Sequence, residues 1–324
     1  MPLLLTDRAQ LTSPLPLHTA DEARMLGIRL DKVRWLRVRK GVYVDRAAYA
    51  ALPPWARYAV RVHAFVRVHP DAVLCLESAG VLHGIPRFGE ARGIHVYAPH
   101  LAHSSHHGDV TIHTSRDERE LTTINGVRIT SVEDTILDLA RVVPPAHALA
   151  MTDAAISPVQ GGMLRLNDLR ARGDRQQNQR GRARLQWVWE TADALSESPA
   201  ESVSRAVMQW SGFERPELQR EFDYEGHLDR TDFYFASCRA IGEADGWGKY
   251  RLHDAETAKQ TLADEKRRED RLRRNGHPFA RWELRDAWKV APLCAVLAAA
   301  GVPRVAAQQS AMLATLRTNP RAKP

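Results

Sequence analysis

The sequence predicts a multi-domain α+β protein, α/β in its broad class, and three observations carry that expectation. The chain has 324 residues, room for two or three domains of about 100–200 residues each. Hydrophobic residues make up 44% and charged residues 26%, a globular composition. Helical and strand periodicities alternate along the chain, broken by an Arg/Gln/Gly-rich, apolar-poor stretch from Arg165 to Arg184. These patterns divide the chain at 1–53, 54–160, 161–196, 197–303 and a tail, 304–324.

In the first segment Thr19 is followed three residues later by Glu22, the capping box of a short helix that Gly27 ends. A second helix is expected from near Leu30, with Val33, Leu36 and Arg37 at helical spacing. After Lys40-Gly41 the run Val42-Tyr43-Val44 suits a strand. Helix, turn, helix and strand is the order of a winged helix-turn-helix. Its second helix and turn carry Lys32, Arg34, Arg37, Arg39 and Lys40. Such a cluster meets DNA phosphates, and a helix fits the major groove. The plainer alternative is a solvated helix face in a protein–protein module; order and charge together favour DNA.

The middle segment reads as a small α+β module. Tyr58, Val62, Phe65 and Val66 repeat at helical intervals, and "LCLESAGVLHGIP" gives a second helix closed by His83-Gly84. The strands "GIHVY", "DVTIHTS" and "INGVRIT" follow, with Asn125-Gly126 as a hairpin turn. Ser131 and Asp134 then open a helix whose apolar face is Ile136, Leu137 and Leu139. His100, His103, His106, His107 and His113 lie in Ser/Gly-rich text between strands, where a solvated loop is expected in place of a zinc site. The stretch from Arg165 to Arg184, within a segment 161–196 expected as a basic linker or helix, reads as a linker or mobile hinge.

The C-terminal segment opens with Ser198 as N-cap, Pro199 at the first helical position and Glu201 completing a capping box, which explains Glu201 without catalysis. In "GHLDRTDFYFAS" alternation puts Phe233 and Phe235 on one side and Asp232 on the other. In "CRAIGEADG" it puts Ile241, Glu243 and Asp245 on one face, with α-carbons two apart about 6.5–7 Å from each other. A long helix, "DAETAKQTLADEKRREDRLRRNG", is stopped by Asn275-Gly276. A strand, "PFARWEL", and one final helix, "DAWKVAPLCAVLAAAG", complete an α-β-β-(β)-α-β-α unit.

Asp232, Glu243 and Asp245 are the ligand types that Mg²⁺ or Mn²⁺ prefers, and such an ion polarises a phosphoryl oxygen and acidifies bound water. Lys249 follows at the turn, where Gly246 and Gly248 let the chain pass close to a phosphate, and it supplies positive charge. The formal net charge of +7 favours a polyanionic partner. Cys75, Cys238 and Cys294 are scattered, which argues against a disulfide framework or a cysteine zinc site and fits a reducing cytoplasm. The longest apolar window, near Val290, falls short of the roughly 18–20 residues of a membrane span, and "MPLLLTDRAQ" lacks the basic start of a signal segment. A soluble, cytoplasmic protein without a membrane partner is expected.

Residues from about 197 to 300 resemble the Vsr-like branch of the PD-(D/E)XK nuclease superfamily. The carriers are Glu201, Asp232-Phe233, Glu243-Ala244-Asp245-Gly246 with Lys249, and "EKRRED" from Glu265 to Asp270. The resemblance implies a restriction-endonuclease-like sheet and metal-dependent DNA cleavage. Asp232, Glu243 and Asp245 would be ligands or water activators, and Lys249, or Lys266 on the following helix, would assist at the phosphate. One departure is that Asp245 stands where the family's lysine is usual, with Lys249 four residues later. The first 150 or so residues resemble the AbiEi-type antitoxin and regulator module through "ADEARMLGI", "VRKGVYV" and "SAGVLHGIP". Two functions follow: an endonuclease directed by its own DNA-binding domain, or a DNA-binding repressor or antitoxin, partnered by a cognate toxin, whose nuclease-like domain does not cut.

Overall fold

The computed structural model describes residues 2–245 and 255–323; Gly246, Gly248 and Lys249 lie outside them. The chain is α+β and divides into two compact units. One comprises Leu4–Val143, Leu164–Gln186 and the residues from Pro320; the other is built from Pro144–Met163 and Trp187–Asn319. Residues 161–196 are shared between the two units. No helix among the described residues is long and apolar enough to cross a membrane.

The N-terminal unit begins with helix α1 (Leu5–Arg8), strand β1 (His18–Thr19) and helix α2 (Ala20–Met25). The capping box of α2 forms: Thr19 Oγ1 accepts from Glu22 N at 3.2 Å, and Glu22 Oε2 accepts from Thr19 N at 2.9 Å. The expected second helix does not. Asp31 Oδ1 accepts the N–H groups of Val33 and Arg34 at 2.9 and 2.8 Å, which closes a single turn. The chain then runs as β2 (Trp35–Arg39) against β3 (Val42–Asp45), pairing Leu36 with Val44 and Arg37 with Tyr43. Gly41, at φ 79°, permits the tight turn between them, and alternation buries Trp35, Val42 and Val44. Ladder hydrogen bonds and this burial outweigh the helical spacing of Val33 and Leu36. The sheet order is β1-β3-β2.

Helices α3 (Arg46–Ala51) and α4 (Pro54–Val68) lead to β4 (Val73–Leu74), α5 (Leu76–His83), β5 (Ile94–Tyr97), β6 (Ser105–His107), β7 (Val110–His113), β8 (Leu121–Ile124), β9 (Val127–Thr130) and α6 (Val132–Val142). Among the described residues these strands make one mixed sheet in the order β6-β7-β5-β4-β9-β8. Tyr58, Val62 and Phe65 of α4 pack into its core with Leu74, Leu82, Ile94 and Ile129. Gly84 ends α5 in the left-handed region, and Asn125 and Gly126, both at positive φ, turn the β8–β9 hairpin. The histidine-rich stretch is more ordered than expected, since pairing with β7 makes His106 and His107 part of edge strand β6. His113 meets His95, Nε2 to Nδ1, at 2.9 Å.

Helix α7 (Pro145–Ile156) belongs to the C-terminal unit. The stretch expected as a linker, hinge or helix forms helix α8 (Leu166–Arg175) and the start of α9 (Arg182–Thr191). Leu169 is fully buried, and Arg172 forks onto Asp134 of α6 at 2.8 and 2.7 Å. Like the stretch Leu164–Gln186, Arg321 returns, far along the chain, to the N-terminal unit. Its guanidinium forks onto the buried Glu77, with Nη2 2.6 Å from Oε2, and lies 3.2 Å from His95 Nε2. Its carbonyl accepts from Arg92 N at 2.8 Å, and Ala322 bridges to Ala91.

The C-terminal unit continues with α10 (Pro199–Trp210), β10 (Glu217–Tyr224), β11 (His227–Phe235), β12 (Ala240–Asp245), α11 (Ala255–Arg274), β13 (Phe279–Glu283), α12 (Leu284–Lys289), α13 (Ala291–Ala299) and α14 (Ser310–Ala314). Among the described residues the sheet runs β10-β11-β12-β13, antiparallel except for the β12–β13 pair, which α11 connects. Phe233 and Trp282 stack at 5.5 Å on one face, and Trp282 Nε1 donates to Ser204 Oγ of α10 at 2.8 Å. Phe222, Ile241 and Leu272 of α11 pack together on the other. The final helix expected as one piece is two, because Val290 adopts φ 65° and Pro292 begins a new first turn.

Candidate functional site

Alternation along β11 puts Asp232 on the same side as Tyr234, and Tyr234 pairs with Ile241. By alternation Asp232, Glu243 and Asp245 therefore fall on one face of the sheet. The β11–β12 ladder has its last pair at Phe233 and Gly242. Beyond it the side chain of Asp232 takes the place of a ladder acceptor: its Oδ2 accepts from Ala244 N at 2.9 Å. That fixes the carboxylate at the mouth of the two parting strands.

Glu243 is buried, and Arg268 of α11 holds it at 2.9 Å from Nη2 to Oε1. The same arginine donates from Nη1 to Arg230 O at 2.6 Å. Asp245 faces Arg281, which β13 places beside Glu243 in parallel register. Arg281 Nε lies 3.1 Å from Asp245 Oδ2, Nη1 lies 3.4 Å from Glu269 Oε2, and Nη2 lies 3.9 Å from Glu265 Oε2. Burial alone would lower the pKa of Arg281; the carboxylates of Asp245, Glu243, Glu269 and Glu265 outweigh it and raise it.

Glu201 sits in the first turn of α10, also buried. Its Oε1 accepts from Ser198 Oγ at 2.7 Å, and its Oε2 accepts from Glu197 N at 2.8 Å and from Gln219 Nε2 at 3.3 Å. The capping box is thus displaced, the carboxylate reaching the amide before the N-cap. Burial first, and the nearby charge of Asp232 second, push Glu201 up to about 8.

The structure thus brings Glu201 to Asp232, and Asp232 to the face that carries Glu243 and Asp245. Lys266 is solvent-exposed on α11, and Lys249 lies outside the described residues. Arg268 and Arg281 are functional neighbours that the sequence patterns do not mark. The strand periodicity of "PFARWEL" was the available signal for Arg281, which alternates with the buried Ala280 and Trp282. Of the expected DNA contacts, Lys32, Arg34, Arg37 and Lys40 are exposed. Arg39 is spent internally, bonded to Asp109 at 2.7 and 3.0 Å and stacked over Phe65.

Three carboxylates on one face have the donor chemistry of a hard divalent cation. Their side chains as placed serve arginines and a backbone amide, and among the described residues no three His, Cys, Asp or Glu side chains gather closely enough to hold an ion. Comparisons with protein-family models, with curated proteins and with solved structures find no match to this chain.

Proposed function

We propose that the chain is a metal-dependent DNA endonuclease, with phosphodiester hydrolysis in the C-terminal unit and DNA binding in the N-terminal one. The observation that carries this reading is the placement of Asp232, Glu243 and Asp245 on one sheet face, where β11 and β12 part. The run α10-β10-β11-β12-α11-β13 also has the element order expected of a Vsr-like nuclease. When bound, Mg²⁺ or Mn²⁺ would polarise the phosphoryl group and acidify a water. The chain's own part would be to carry three oxygen donors on one sheet face, with Glu201, its pKa raised by burial, close to Asp232. In the N-terminal unit α2, one helical turn and the β2–β3 hairpin expose Lys32, Arg34, Arg37 and Lys40, charges suited to phosphates.

One observation favours the second reading. Arg268 and Arg281 occupy Glu243 and Asp245, as they would in an AbiEi-type repressor or antitoxin that binds DNA, partners a toxin and no longer cuts. A supercoiled-plasmid assay with Mg²⁺ or Mn²⁺ separates the two. The nuclease reading expects nicking or cutting that EDTA abolishes and that Asp232→Ala and Glu243→Ala each lose. Plasmid retention without cutting, indifferent to both substitutions, would leave the regulator.

A further inference from the structure

We infer that Glu77, Glu90 and the backbone of residues 90–92 form a recognition site for an extended Arg-x-Lys peptide. Residues 321–323 are its resident ligand, and the same sequence on another chain exchanges with them. The inference stands apart from the endonuclease reading, because every group it uses belongs to the N-terminal unit. A peptide site of this kind combines backbone groups that pair with an extended chain and side chains that read its residues. Both are present. Ala91 and Ala322 form an antiparallel bridge. Around it Arg92 N donates to Arg321 O at 2.8 Å, and Lys323 N donates to Glu90 O at 2.7 Å. Arg92 Nε adds a bond to Ala322 O at 2.8 Å. These bonds hold an extended tripeptide whatever its side chains.

Charge then selects. The Arg321 guanidinium forks onto both oxygens of Glu77, and Lys323 Nζ reaches Glu90. Both carboxylates are buried, Glu77 at 9% exposed and Glu90 at 7%. Glu90 also meets Arg61 at 3.2 Å and Arg57 at 3.4 Å, so other cations already balance it. Glu77 differs. Its other neighbour is His95, whose Nε2 lies 3.4 Å away and whose Nδ1 faces His113 Nε2 at 2.9 Å. Burial lowers the pKa of His95 to about 4, so at pH 7 this ring brings no charge. Glu77 therefore relies on the guanidinium that the peptide delivers. A lysine in that place cannot fork onto two oxygens, so the first position selects arginine. The Lys323 side chain is 44% exposed, which makes the third position the lesser of the two.

The test uses the full chain and a labelled peptide, Thr-Asn-Pro-Arg-Ala-Lys-Pro, that copies residues 318–324. The double variant Arg321→Ala/Lys323→Ala clears the site, and fluorescence anisotropy reads what fills it. The double variant should bind the peptide about tenfold or more tightly than wild type, whose own segment competes at an effective concentration of about millimolar. Adding Glu77→Gln, or replacing the peptide's arginine by lysine, should weaken binding about tenfold or more. The net charge of +7 repels a basic peptide, so non-specific attraction does not imitate this result. A folded double variant that binds no better than wild type, is indifferent to Glu77→Gln or treats the two peptides alike overturns the inference. If the double variant does not fold, far-UV circular dichroism restored by the arginine peptide and not by the lysine one supports the site. Restoration by both, or by neither, overturns it.

Discussion

Glu201 shows how far one residue's chemistry departs from its sequence context. The S-P-A-E pattern explains why a glutamate stands in the first turn of a helix. It does not say that the carboxyl is buried or that Asp232 lies close to it. With a folded pKa of about 8, above the unfolded value near 4.3–4.5, the folded chain holds a proton that the unfolded chain has lost across that window. Stability is full below the window and falls as pH rises through it, by about 1.4 kcal/mol per pH unit from this group. Glu201→Gln keeps the hydrogen bonding without the charge. Urea unfolding between pH 5 and 8 in EDTA should therefore show a flatter pH dependence in Glu201→Gln than in wild type. Parallel curves would mean that Glu201 is ionised in the folded chain.

Elements whose signals are local were legible. The capping box of α2, the Ser198 N-cap of α10, the Asn125-Gly126 turn and the stop at Asn275-Gly276 each depend on residues within four positions, and each stands where the sequence puts it. The errors share one cause, a partner far along the chain. Residues 35–39 have helical spacing, but β3 offers them a ladder; residues 166–175 read as hinge because Asp134, which anchors Arg172, is 38 positions away. At the acidic site the carboxylates and their common face could be read, since strand period alone determines them. Arg268 and Arg281 could not, because only the crossover of α11 and the parallel register of β13 bring them there. Arg39 carries the same lesson. Read as a DNA contact, it ties β2 to Asp109 instead, so Arg39→Ala should lower stability by about 1.5–3 kcal/mol, the range for hydrogen bonds to charged groups. Thermal unfolding checks this, and an unchanged midpoint beside weakened DNA binding would restore the DNA role.

On the scale of the whole molecule, each unit is stitched from segments distant in sequence, and Arg321 is the extreme case. Burial alone would raise the pKa of Glu77; the fork from Arg321 and its charge lower it instead. Burial holds His95 near 4, so at pH 7 this imidazole is neutral and no substitute for the arginine. Arg321→Met should cost about 3–5 kcal/mol, the toll of stranding a buried charge, and Glu77→Gln in the same chain should recover a large part of it. Denaturant unfolding of the two single variants and the double variant measures the coupling. Additive effects would show that the pair is incidental.

That pairing also sets an order of events during biosynthesis. Glu77 leaves the ribosome 244 residues ahead of the arginine that will cover it. At about 5–20 residues per second the delay is about 10–50 s. Through that interval the mixed sheet of the first unit surrounds an acid without its arginine, which has to stay hydrated or stay protonated. The half of the protein that is made first is therefore finished after the half that follows it, and a nascent chain released early leaves its opening domain incomplete.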